Sequence, residues 1–122
     1  MKKLFLIVPI LLLLICGCAT ENEVKLNDNG TISLVSAKEL INDGALLIDV
    51  RSEMEFNSGH IDGAILMPVE SINKSVAESK INSKETVVIV YCRSGARSAS
   101  AAKTLTNLGY TVYDLGAMSN WK

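Results

Sequence analysis

The stretch TVVIVYCRSGARSASAAKTLTNLG, residues 86–109, passes from a run of β-branched residues through a short polar connection into small residues at helical spacing. Thr86–Tyr91 predicts the strongest strand in the chain, on its content of β-branched residues. Residues 97–108 predict a helix with Ala101, Leu105 and Leu108 on one face and Gly109 as its stop. Between them lies Cys92-Arg93-Ser94-Gly95-Ala96-Arg97. A strand-to-helix connection of this kind sits at the carboxyl edge of an open α/β sheet, where ligands bind.

The pattern repeats on either side. Upstream, Ala45–Val50 (ALLIDV), a continuous apolar run of strand length, predicts a strand buried on both faces, and Ala64–Met67 is a shorter apolar run stopped by Pro68. Thr31–Val35 predicts a first strand, followed by a helix capped by Ser36 with Glu39 three residues on, ending near Asn42 before Asp43-Gly44. Ser71–Ile81 carries a weak amphipathic helix, and Thr111–Leu115 a last strand. Strands alternating with helical segments define an α/β domain with a parallel sheet.

The first residues are of another kind. MKKLFLIVPILLLLICGC has two lysines, an apolar run from Leu4 to Ile15, then a small residue and a cysteine, the layout of a bacterial secretory signal. Twelve helical residues cover about 18 Å, short of the roughly 30 Å hydrocarbon core of a bilayer. Ile15-Cys16-Gly17-Cys18 resembles a lipobox in which Cys18, preceded by small Gly17, is the lipidated residue. The expected organisation is a signal peptide over 1–17, a lipidated cysteine and flexible tether over 18–30, and a domain over 31–122 held at a membrane of the cell envelope, facing outside the cytoplasm. Loss of Lys2 and Lys3 leaves ten basic against thirteen acidic residues, a formal charge of −3, which argues against nucleic acid as a partner. Cys92 is then the one cysteine left in the domain, so neither an internal disulfide nor a cysteine metal cluster can form there.

The connection itself suggests reactivity. Gly95 permits the positive φ needed for a loop that curls its amides inward, and the following helix adds the positive end of its dipole. Those donors, with Arg93 and Arg97, would favour thiolate at Cys92 and hold an anionic substrate. A buried, inert cysteine would need neither a glycine turn nor two guanidinium groups.

Cys92-Arg93-Ser94-Gly95-Ala96-Arg97 followed by a small-residue helix resembles the active-site loop of single-domain rhodaneses, which are sulfurtransferases. LIDVRSEMEFNSGHIDGAILMPV, residues 47–69, resembles the same family's Asp-Val-Arg, Glu-Phe and Gly-His-Ile-x-Gly-Ala signature. LGAMSNW, residues 115–121, resembles its closing Gly-Gly-x-x-x-Trp, with Ala117 where a second glycine is usual. The resemblance implies a five-stranded parallel sheet flanked by helices on both faces. It further implies that Cys92 accepts a sulfane sulfur from thiosulfate or a small-molecule persulfide and passes it to a thiol or cyanide, with no cofactor. Arg93, Ser94, Gly95, Ala96, Arg97 and Ser98 would form the substrate-binding loop. Phosphatases of similar build need five residues between Cys and Arg; here four separate Cys92 from Arg97, and Ser98 stands at the longer spacing.

Other residues carry structural expectations. Asp49 and Arg51 would form an internal ion pair or cap loops, Glu55 would partner Arg51 or His60, and Trp121 would pack at the domain's end. His60 is the chain's single histidine, which makes a metal site a poor reading and leaves it a structural hydrogen-bonding role. Against the enzyme stands a carrier module that holds a persulfide or anion for a protein acceptor with little turnover, favoured by the small size and by Ala117.

Overall fold

The computed structural model describes residues 23–122. The expectations for a signal peptide and for lipidation at Cys18 fall on residues outside that range.

Among the described residues, four strands and four α-helices alternate: α1 (Leu34–Asn42), β1 (Leu46–Asp49), α2 (Glu53–Ser58), β2 (Ile65–Leu66), α3 (Lys74–Lys80), β3 (Val87–Cys92), α4 (Ala96–Asn107) and β4 (Thr111–Ala117). Short 3₁₀ turns follow β2 and β4. The sheet is wholly parallel in the order β2-β1-β3-β4, with β3 central and Cys92 paired in register with Ala117.

Consecutive apolar residues in β1 and β3 face opposite ways, so each strand feeds two cores. One holds Ile48, Val50, Val88, Val90 and Cys92 against Ala77 and Ile81 of the α3 side and Ala101 and Leu105 of α4. The other holds Leu47, Ile89, Tyr91 and Leu115 against Ala37 of α1 and Ile61. Each fully buried aliphatic side chain contributes on the order of 1.5–3 kcal/mol. The sheet is thereby covered on both faces, as the sequence pattern requires.

Two expectations at the N-terminal side are corrected. The sheet has four strands among the described residues, not five, because Thr31–Val35 is not a strand. Ser33, not Ser36, caps α1: its backbone is extended (φ −68°, ψ 153°) and its hydroxyl accepts the Ser36 amide hydrogen at 3.2 Å. The helix therefore begins at Leu34 and leaves Ile32 alone to pair. Ile32 donates its amide to the Asp114 carbonyl at 2.8 Å and bridges Leu26 in antiparallel fashion, a single rung where a fifth strand would lie beside β4.

Part of the expected tether is also built into the domain. The Asp28-Asn29-Gly30 turn closes with the Asn27 amide on the Thr31 carbonyl at 2.7 Å, and Gly30 takes φ +90°. The Lys25 amide donates to the Ser36 hydroxyl at 2.9 Å, and Val24 packs against the second core. Ser36, displaced from its expected cap, is buried inside α1 as this anchor.

Candidate active site

β3 delivers Cys92 to the carboxyl edge of the sheet, where Gly95 turns the chain with φ +108° and caps α4. A left-handed residue at that point points successive amides back toward the strand end. The amides of Gly95 and Ser98 donate to the Cys92 Sγ at 3.0 Å and 3.2 Å. Cys92 is buried, and burial alone pushes its thiol up. The Ser98 side chain and the amides of Ser98, Gly95 and Ser94 outweigh that, so the thiol lies below its ordinary value. The Ser98 hydroxyl has one proton, donated to the Gly95 carbonyl at 3.1 Å. A thiolate is a stronger, charge-assisted acceptor than a carbonyl, which is how the Ser98 side chain favours the ionised sulfur.

The arginines act at one remove. Arg97 forms two hydrogen bonds with Glu55, Nη1 to Oε1 at 2.7 Å and Nη2 to Oε2 at 3.1 Å, and Arg93 approaches Glu55 Oε2 at 3.6 Å. Pairing with Glu55 dominates the raised value of the Arg97 guanidinium; its attraction to Cys92 is secondary. The expectation that Glu55 partners Arg51 or His60 is thus corrected. The reason is local: Ser52-Glu53-Met54-Glu55 forms a capping box, in which the Ser52 amide and hydroxyl both donate to Glu55 Oε1 at 3.0 Å. That geometry turns the carboxylate toward the loop. Arg97 first, and then the Ser52 amide, hold the Glu55 carboxyl well below the usual carboxylate range.

The sequence signal for α2 was present in that Ser-x-x-Glu spacing, but six residues are too few to show a hydrophobic period. α2 is nonetheless the element that anchors both loop arginines, through Glu55.

Beneath the loop lies a closed polar network. Arg51 Nη2 donates to Asp49 Oδ2 at 2.7 Å and to the Gly59 carbonyl at 2.7 Å, and Arg51 Nε reaches Asp49 Oδ1 at 3.0 Å. The Tyr91 hydroxyl donates to Asp49 Oδ2 at 2.7 Å and accepts the Ile61 amide at 3.1 Å. The hydrogen bond to Asp49 raises the Arg51 value, and burial raises that of Tyr91, so both stay protonated. The sequence pattern conceals the polar role of Tyr91, because its hydroxyl lies within an apolar strand. His60 stacks on Phe56 with ring centroids 3.7 Å apart, its Nδ1 2.9 Å from the Phe56 carbonyl. Among the described residues, no group of three or more metal-ligating side chains is brought together.

Arg93 and Ser94 are exposed at the mouth, Ala96 opens α4, and Ser98 is buried under the loop. Ala117, the departure from a double glycine, has φ −75° and ψ 140°, a conformation open to any residue. Gly116 holds the positive φ, +83°. The alanine therefore costs the backbone nothing, and Ala117 lends no support to a carrier without turnover. Trp121 packs against the second core, with the Lys38 ammonium 5.1 Å from its ring centroid.

This arrangement has relatives. The chain is 31% identical over 110 residues to the protein named "Probable adenylyltransferase/sulfurtransferase MoeZ" of Mycobacterium tuberculosis, a match covering 87% of this chain and 28% of that one. It is 34% identical over 64 residues to thiosulfate sulfurtransferase PspE of Escherichia coli, covering 52% of this chain and 61% of that one. The fold superposes on the human single-domain sulfurtransferase TSTD1 with a TM-score of 0.62 at 27% identity, covering 75% of this chain and 94% of that one. The chain thus spans less than two thirds of the length of both sequence relatives. The rhodanese-like domain model matches residues 33–122, and with that match the chain belongs to the rhodanese-like domain family.

Proposed function

We propose that this protein is a sulfurtransferase in which Cys92 carries the sulfur. The observation that supports it most directly is the Cys92 Sγ at the head of β3, receiving the Gly95 and Ser98 amides at 3.0 Å and 3.2 Å in a loop that favours thiolate. In the first displacement the thiolate attacks the outer sulfur of thiosulfate. A new Sγ–S bond forms, the S–S bond of thiosulfate breaks, and sulfite leaves with the electron pair. In the second, an acceptor thiolate attacks the carried sulfur and Cys92 departs as thiolate. Amides aimed at Sγ stabilise negative sulfur in both steps, and covalent catalysis divides the transfer into two easier ones. Exposed Arg93 at the mouth suits an anionic donor.

The sequence pattern around Cys18 extends the proposal to a lipid anchor at the cell envelope. Incorporation of labelled fatty acid into the wild-type chain, and its loss in Cys18→Ala, tests that part.

Intact-protein mass spectrometry before and after thiosulfate tests the chemistry. Wild type gains one sulfur atom and Cys92→Ser, folded by circular dichroism, gains none. A sulfur gained by Cys92→Ser, or a wild type inert to both thiosulfate and a glutathione-type persulfide, would overturn the proposal.

A further inference from the structure

On the β4 side of the loop lies an open depression of about 450 Å³, bordered by Ser94, Gly95, Gly116, Asp114, Asn120 and the N-terminal turn residues Asn29 and Thr31. It adjoins the nucleophile: Gly95 donates to Sγ, and Cys92 pairs with Ala117. Its floor requires a glycine. A Cβ on Gly116, already at φ +83°, would stand 3.2 Å from Thr31 Cγ2 and 3.3 Å from Asn120 Nδ2, closer than ordinary contact.

The polar atoms around it are arranged unevenly. Asp114 Oδ1 accepts the Gly116 amide at 2.8 Å, and Asn29 Oδ1 accepts the Thr31 amide and hydroxyl at 3.1 Å and 2.7 Å. Asn120 Nδ2 donates to the Leu115 carbonyl at 3.0 Å. Asp114 Oδ2, Asn120 Oδ1 and Asn29 Nδ2 are left without a hydrogen bond to the described residues and are available to a ligand. Among the described residues, no lysine or arginine lines the depression. The loop's cations lie on the other side of Cys92, held by Glu55 of α2, which follows β1. Since β3 separates β1 from β4, the nucleophile stands between a cationic flank and a flank bearing one carboxylate.

From this division we infer that the depression seats the thiol acceptor, and that Asp114 selects acceptors carrying an ammonium or amide N–H over purely anionic thiols. The inference rests on the sulfurtransferase reading and adds the acceptor's chemical class. An anionic donor is repelled from the Asp114 flank, whereas an amino-thiol places its cation against Asp114 Oδ2 and its sulfur beside the loop. There the acceptor thiolate, having released its proton to water, attacks the outer sulfur of the Cys92 persulfide. A bond forms between the two sulfurs, the bond to Sγ breaks, and Cys92 leaves as thiolate with the acceptor now a persulfide.

The test uses Cys92 persulfide prepared with thiosulfate and compares cysteamine with 3-mercaptopropionate, thiols of similar reach and opposite charge. The readout is the ratio of their kcat/KM values, and comparing that ratio between variants cancels the difference in intrinsic thiol reactivity. Asp114→Asn, which keeps the Oδ1 acceptor for Gly116, lowers the ratio by roughly fivefold, the upper size of one partly exposed charge contact. Asn29→Asp, which keeps its Oδ1 bonds while adding a charge, raises it. Glu85→Gln, exposed just before β3 at the opposite end of the sheet, leaves it unchanged. A ratio indifferent to both Asp114→Asn and Asn29→Asp overturns the inference and leaves the sulfurtransferase reading intact. Failure of Cys92 to load sulfur from thiosulfate or a glutathione-type persulfide overturns both.

Discussion

The amide nitrogen of Ser98 lies 3.2 Å from the Sγ of Cys92, six residues away in the chain, with the Ser98 side chain wholly enclosed beneath the loop. Ser98 thus contributes its amide directly, and its side chain also lowers the Cys92 thiol.

Ser98→Ala removes the hydroxyl and keeps the amide. The Cys92 thiol then moves back up, and less of it is ionised at neutral pH. Alkylation by iodoacetamide slows several-fold at pH 7, and its pH profile shifts to higher pH, as expected for loss of one hydrogen bond to a charged group. An unshifted profile would show that the amides alone set the ionisation.

Glu55 gives stability a pH dependence of defined sign. Its carboxyl is held low in the folded state by Arg97 and the Ser52 amide, and returns to about 4.3 when unfolded. Its contribution is therefore complete above about pH 4.3 and is lost as pH falls toward the folded value. Urea midpoints of wild type and Glu55→Gln should differ at pH 7 and converge as pH is lowered below about 4. Parallel curves would place the acid sensitivity elsewhere.

Asp49→Ala leaves the Arg51 guanidinium buried without its partner and the Tyr91 hydroxyl without its acceptor. Breaking a buried pair on one side costs about 3–5 kcal/mol. Thermal unfolding should register a loss of that size, with sulfur loading at low temperature retained by the fraction that stays folded.

Gly116 and Ala117 make opposite predictions. Gly116→Ala forces a Cβ against Thr31 and Asn120 at φ +83°, and costs about 1 kcal/mol or more while narrowing the depression. Ala117→Gly, at an ordinary extended conformation, leaves turnover within about twofold and lowers stability by about 0.4–1 kcal/mol, through the freedom it adds to the unfolded chain alone. Thiosulfate:cyanide assays beside unfolding curves check both.

The central strand, the loop and α4 were legible in the sequence because each obeys one local rule: a doubly buried strand is continuously apolar, a left-handed turn calls for glycine, and a helix repeats its apolar face. The N-terminal side was less legible. Ser33 and Ser36 are both chemically fit to cap α1. What decided between them was tertiary, the demand of the Lys25 amide for a buried acceptor at Ser36. Glu55 shows the same limit. Its capping box is local, but its choice of Arg97 over Arg51 depends on Asp49 having already occupied Arg51.

Tyr91 and Cys92 are neighbours in β3 yet belong to opposite cores. The reactive sulfur's surroundings are therefore a matter of parity. An insertion or deletion of one residue within Val87–Cys92 would carry the thiol to the side occupied by Leu47 and Leu115, and a change of two would return it to its own side one rung displaced. Length variation in this lineage should thus be confined to the turns, where a residue gained or lost changes reach without inverting which side the nucleophile faces.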